Sequence, residues 1–116
     1  MKIHSGSCHC GRIRFEVEAD VDKVIDCNCS ICARRGWLLF FVPDAQVRLS
    51  TPEGEPATYT FNRHHIRHRF CPACGVAPFA RANDRDGKPT WAINARCLPD
   101  LDLATLVVEK FDGRSL

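Results

Sequence analysis

Eight of the 116 residues are cysteine, and seven of those fall into three short clusters. Cys8 and Cys10 form C-x-C; Cys27, Cys29 and Cys32 form C-x-C-x-x-C; Cys71 and Cys74 form C-x-x-C followed by Gly75. Structural disulfides usually join cysteines far apart in sequence, in an oxidising compartment, whereas close spacing aims several thiolates at one ion. The spacing therefore points to metal, and a thiolate donor set places zinc ahead of iron.

In Cys71-Pro72-Ala73-Cys74-Gly75 two thiolates flank a tight turn whose amides can point at sulfur, and Gly75 tolerates the positive φ that such a turn needs. Two further ligands are required, and Cys8 with Cys10 supplies two. The result is a closed four-thiolate site with a structural role. Cys27, Cys29 and Cys32 are then left as three ligands, and three protein ligands with one open position is the pattern of a catalytic zinc. Spacing alone does not enforce that allocation. The triplet can instead take a fourth ligand from His64, His65, His68 or Cys97, which makes both sites structural.

The elements that must position these clusters read as short strands. Arg12 to Glu18 alternates strictly, with Ile13, Phe15 and Val17 on one face and charged residues on the other. Further strands are expected at Trp37 to Val42, Gln46 to Ser50, Ala57 to Asn62, His65 to Phe70, Val76 to Arg81, Thr90 to Ala95 and Leu106 to Lys110. Turn signals separate several of them, such as Val42-Pro43-Asp44 and Thr51-Pro52-Glu53-Gly54. Helix is confined to a turn after Cys29 and another within Asp100 to Leu106. A mainly β single domain spanning residues 1–116, built of short antiparallel strands and stapled by its metal sites, is the expectation.

Four stretches resemble the glutathione-dependent formaldehyde-activating enzyme family, whose domain is shared with the centromere protein V group. They are Gly6 to Gly11 running into the strand to Phe15, Cys27 to Gly36, Phe70 to Gly75, and Ile93 to Leu98. The likeness runs from about Ser5 to Arg114. It implies a twisted β scaffold similar to the Mss4-like fold. It also implies two zinc ions per chain: Cys8, Cys10, Cys71 and Cys74 on the structural ion, and Cys27, Cys29 and Cys32 on the catalytic one. The implied activity is a carbon-sulfur lyase reaction, the reversible joining of glutathione or a similar thiol to formaldehyde or a related aldehyde. This chain is short for such an enzyme, so a non-catalytic zinc module for protein contacts stands as the alternative.

The rest of the composition constrains partners. The formal charge of +2 hints at an anionic partner, but seven thiolates and two zinc ions bring it to about −1. That change, with no reading helix, weighs against nucleic acid. The start has no apolar stretch of the secretory type, and the longest apolar run, Trp37 to Val42, is far short of a membrane span, so a soluble cytoplasmic protein is expected. The basic stretch Arg63 to Arg69 reads as a solvated strand edge before it reads as a substrate-binding or acid-base element. Cys97 reads as a buried small residue, His9 as pointing away from the metal, and Trp37, Phe40, Phe41, Phe79 and Trp91 as core.

Overall fold

The alternation seen around Phe15 becomes β2 (Arg14–Glu18), with Phe15 and Val17 buried. It pairs antiparallel with β1 (Ile3–Ser7) on one side and β5 (Val47–Leu49) on the other, which completes a three-stranded sheet. The computed structural model describes residues 1–116. The remaining strands are β3 (Lys23–Cys27), β4 (Leu39–Pro43), β6 (Ala57–Tyr59), β7 (Arg67–Phe70), β8 (Phe79–Asn83), β9 (Pro89–Asn94) and β10 (Val107–Phe111). They form a seven-stranded sheet in the order β10-β3-β4-β9-β8-β7-β6. All of its pairs are antiparallel except β10 with β3, which run parallel. The chain is thus mainly β, as expected, but one sheet is mixed.

The sheets meet through aromatic side chains. Phe15 of β2 meets Phe79 of β8 edge to face, with ring centroids 5.4 Å apart at 84°, and Phe79 lies 4.6 Å from Trp91 of β9. Ile13, Val17, Val24, Ile93 and Leu98 complete a solvent-free core. Such burial is worth roughly 1.5–3 kcal/mol per large side chain.

One short helix, α1 (Ser30–Arg35), follows Cys29 and stops at Gly36, whose φ of 66° lets its amide close on the Cys32 carbonyl. The turn expected within Asp100 to Leu106 is a 3-10 turn at Leu103–Thr105, opened by the Asp102 side chain accepting from the Ala104 amide. No helix is long and apolar enough to cross a membrane.

Candidate metal centres

The loop from β1 into β2 carries Cys8 and Cys10, and the loop after β7 carries Cys71 and Cys74. Both loops fold the same way. The Cys8 amide donates to the Ile13 carbonyl at 3.1 Å and the Cys71 amide to the Val76 carbonyl at 2.9 Å. Inside each, the glycine amide reaches back to the first cysteine's carbonyl, from Gly11 to Cys8 and from Gly75 to Cys71, and both glycines have φ of 81°. Left-handed backbone of this kind suits glycine. The turns leave amides aimed at sulfur: Ile13 to Cys8 Sγ at 3.3 Å and Cys74 to Cys71 Sγ at 3.4 Å.

The four sulfurs of these two loops lie within 4.8 Å of one another. Two of the separations, Cys8 to Cys10 and Cys10 to Cys71, are 3.7 and 3.6 Å. A disulfide needs about 2.05 Å, so these are not disulfides. A tetrahedron of sulfurs about 2.3 Å from a central zinc has edges of about 3.8 Å, close to the observed spacing. The residues therefore fit a tetrahedral metal ion.

Two of the thiols, Cys71 and Cys74, already lean toward the thiolate. The amides of Val76 and then Cys10 hold Cys74 down to about 6, and the amide of Cys74 lowers Cys71 against burial. Cys10 is favoured as thiolate by the Arg12 amide, yet the sulfur of Cys71 and burial push it up to about 11. Protons shared among close sulfurs are what a metal ion displaces.

The second group is local in sequence and capped from afar. Cys27 ends β3, Cys29 precedes α1, and Cys32 sits one turn into α1. Their sulfurs also lie within 4.8 Å of one another, and the Cys29 amide approaches Cys27 Sγ at 3.5 Å. No histidine, carboxylate or further cysteine joins them, so His64, His65, His68 and Cys97 all lie outside the group. Cys97 is buried, which pushes its thiol up to about 11.

Burial dominates Cys32 and pushes it up to about 12, while the indole N–H of Trp37 works against that shift. That N–H is sealed from solvent and has no partner at hydrogen-bonding geometry, yet stands near enough to favour a thiolate at Cys32. Burial would raise Cys29 as well, but the amide of Cys32 and the sulfurs of Cys32 and Cys27 outweigh it and lower its pKa.

The family model described as glutathione-dependent formaldehyde-activating enzyme matches residues 3–111. The chain belongs to this family. Membership in the formaldehyde-activating enzyme family ties the chain to glutathione- and formaldehyde-related chemistry in general terms. The fold is also similar to the crystal structure of a Rhodobacter sphaeroides protein. The two superpose with a TM-score of 0.76 at 24% identity, over 90% of this chain and 99% of that one.

Several residues around the triplet carry no signal in the sequence. Trp37, read there as core, is indeed 3% exposed, but it also presents its N–H to Cys32. Asn28, between two ligand cysteines, ties the triplet to a segment 84 residues away, donating from Nδ2 to Asp112 Oδ1 at 2.9 Å. The basic stretch divides: Arg63 to Arg67 is exposed, but His68 and Arg69 are buried, so the solvated-edge expectation fails for those two. Arg69 spends its guanidinium on the carbonyls of Glu53 and Pro56 and on the Glu53 carboxylate. Of the other aromatic residues expected in the core, Phe40, Phe79 and Trp91 are buried, whereas Phe41 is 57% exposed, because it points to the opposite face of β4.

Proposed function

We propose that this chain is a zinc-dependent carbon-sulfur lyase of the S-(hydroxymethyl)glutathione synthase type. It joins glutathione or a similar thiol to formaldehyde or a related aldehyde. Cys8, Cys10, Cys71 and Cys74 hold a structural zinc, and Cys27, Cys29 and Cys32 hold a catalytic one. One observation carries the reading: the first group offers four sulfurs and the second offers three, with no fourth side chain in reach. Four thiolates saturate a tetrahedral ion, while three leave a position for a ligand from outside.

Zinc held by three thiolates is a soft, weakly acidic centre that favours the thiolate form of an added sulfur over ionised water. The chain's own residues keep that position defined. β3 and α1 hold Cys27 and Cys32 at fixed separation, Trp37 directs a donor toward Cys32, and Asn28 binds the C-terminal segment beside Cys27. In the reaction the sulfur lone pair forms a bond to the carbonyl carbon. The carbonyl π pair moves to oxygen, and the proton lost by the thiol ends on that oxygen. No electrons are gained or lost, so no oxidant or reductant is needed. The reducing cytoplasm is the setting that keeps seven thiols available as ligands.

The test combines metal analysis with thiol-dependent formaldehyde consumption. Two zinc ions per chain are expected. Cys29→Ser should keep the fold and one zinc while losing the aldehyde chemistry. One tightly bound zinc in the wild type, with Cys27, Cys29 and Cys32 freely alkylated in native protein, would defeat the two-site reading.

A further inference from the structure

A cleft of about 510 Å³ lies between α1 and the strands β6 and β7. Ile31, Arg34 and Arg35 form its helical wall, and Thr58, Tyr59 and Phe70 line the strand side. No carboxylate lines it, and neither arginine is in an ion pair. Two arginines of the large sheet are neutralised, by contrast: Arg69 and Arg81 share Glu53. The two cationic side chains at this cleft have no anion of their own.

Arg34 is partly occupied, donating from Nη1 to the Ser30 carbonyl at 2.9 Å. Arg35 is not. Its guanidinium stacks over Trp37 at 5.4 Å from the ring centroid, and its Nη1 is sealed from solvent with no acceptor. His68 is 5% exposed and likewise has neither ring nitrogen partnered. Burial and the neighbouring Arg35 charge lower its pKa, so it adds no second positive charge beside Arg35, and in neither protonation state is the ring an anion. Folded proteins leave few buried donors unpaired, and each one that is left calls for an explanation.

The cleft also adjoins the triplet. Arg35 lies three residues after Cys32 and four after Ile31, on one helix face, and the rise from Cys32 is only about 4.5 Å. A molecule whose sulfur sits at the triplet can therefore extend along α1, with Ile31, Tyr59 and Phe70 as apolar walls. Its far end meets Arg35. A planar guanidinium with free donors is suited to a carboxylate.

We propose that Arg35 anchors a carboxylate of the thiol substrate in the cleft between α1 and β6–β7, and so selects acidic, peptide-like thiols over uncharged ones. This rests on the reading of the triplet as the thiol-accepting site. The test is a titration of cobalt-substituted protein, watching the triplet's absorption, with glutathione and with glutathione diethyl ester. The ester keeps the length and loses both carboxylate charges.

Wild type should bind glutathione about tenfold more tightly than the diester, as expected for a partly buried charge-assisted pair. Arg35→Gln should bring the two within about twofold, leaving the diester's affinity and the unliganded cobalt spectrum unchanged, because an uncharged amide cannot form the pair. Equal affinities in wild type would overturn the proposal without any variant, and so would an Arg35→Gln protein that keeps the preference. If both thiols shift the triplet's spectrum but do so equally, only the anchor fails. If neither shifts it, the thiol-accepting reading fails and the anchor with it.

Discussion

The backbone of Gly113 lies against the sulfur of Cys27: a Cβ added at Gly113 would stand 2.6 Å from Cys27 Sγ and 3.2 Å from Cys29 Cβ. The parallel pairing of β10 with β3 causes this approach, because it sets Phe111 opposite Cys27 and delivers the following residues over the triplet. Asn28 then fastens them. Its amide nitrogen donates to Asp112, and its side-chain oxygen accepts from the Arg114 amide at 2.9 Å. Ser115 Oγ donates in turn to Asp112 Oδ2 at 2.6 Å.

Gly113→Ala should therefore damage the three-cysteine site selectively. The new methyl must push Cys27 Sγ out of the sulfur cluster or lift the C-terminal segment away from Asn28. Changes just outside a metal's ligands commonly cost about 10–100-fold in affinity, and a loss of that order is expected for the triplet. The four-cysteine group, built from other loops, should keep its affinity. Chelator competition on cobalt-loaded protein separates the two sites, and equal affinities in variant and wild type would contradict the clamp.

Cys71→Ser and Cys8→Ser address the other group. Each breaks a closed set that joins the three-stranded sheet, through the loop after β1, to the seven-stranded sheet, through the loop after β7. Structural zinc commonly contributes about 10–16 kcal/mol of binding energy, as large as the whole net stability of a small domain at roughly 5–15 kcal/mol. Either variant should lose cooperative thermal unfolding near room temperature or be recovered only as aggregate. A variant with wild-type thermal stability and full zinc content would show that this group is not a structural site.

What could be read from the sequence, and what could not, follows from how each element is stabilised. β2 was legible because Phe15 and Val17 face the core while Arg14, Glu16 and Glu18 face away; the expected start at Arg12 was early because residues through Ile13 close the Cys8 turn. The strand expected from Val76 begins at Phe79 for the same reason, with Val76 closing the Cys71 turn. β6 ends at Tyr59, short of the expected Asn62, and the loop beyond it holds Asn62 and His64 at positive φ. β1 and β3 went unseen. β1 reads Ile-His-Ser-Gly-Ser and is held by pairing with β2, its Gly6 allowing the Phe15 ring to pack directly on the backbone. β3 carries charge at Lys23 and Asp26, and tertiary pairing with β10 and β4 overrides its weak local pattern. The three cysteine clusters were legible because ligand spacing is a local property, but which clusters meet is not local, and the union of Cys8 and Cys10 with Cys71 and Cys74 came only with the family resemblance. The clamp at Gly113 and the orphaned donors around Arg35 and His68 depend on contacts between distant residues, which no local pattern encodes.

The His68 ring stacks on Phe61 at 5.3 Å and 25° and lies 6.5 Å from Tyr59. Burial, with the Arg35 charge adding to it, lowers the pKa of His68 below the ordinary value of 6.5. The folded protein therefore keeps the ring neutral at a pH where the unfolded chain has already taken up a proton. Above the unfolded value this costs nothing, and the contribution to stability is fully present. As pH falls below 6.5 toward the lower folded value, the unfolded state gains protons first, and that contribution is lost. Phenylalanine at this position keeps the stack, cannot titrate, and removes two nitrogens that have no partners, a change that is close to neutral when shape is preserved. The melting temperature of metal-loaded wild type should fall more steeply than that of His68→Phe between about pH 7.5 and about pH 6. Acid loss of the metal-bound thiolates acts on both proteins alike, so the difference in slope isolates the histidine. Superimposable melting profiles across that range would show that His68 is not held neutral by its burial.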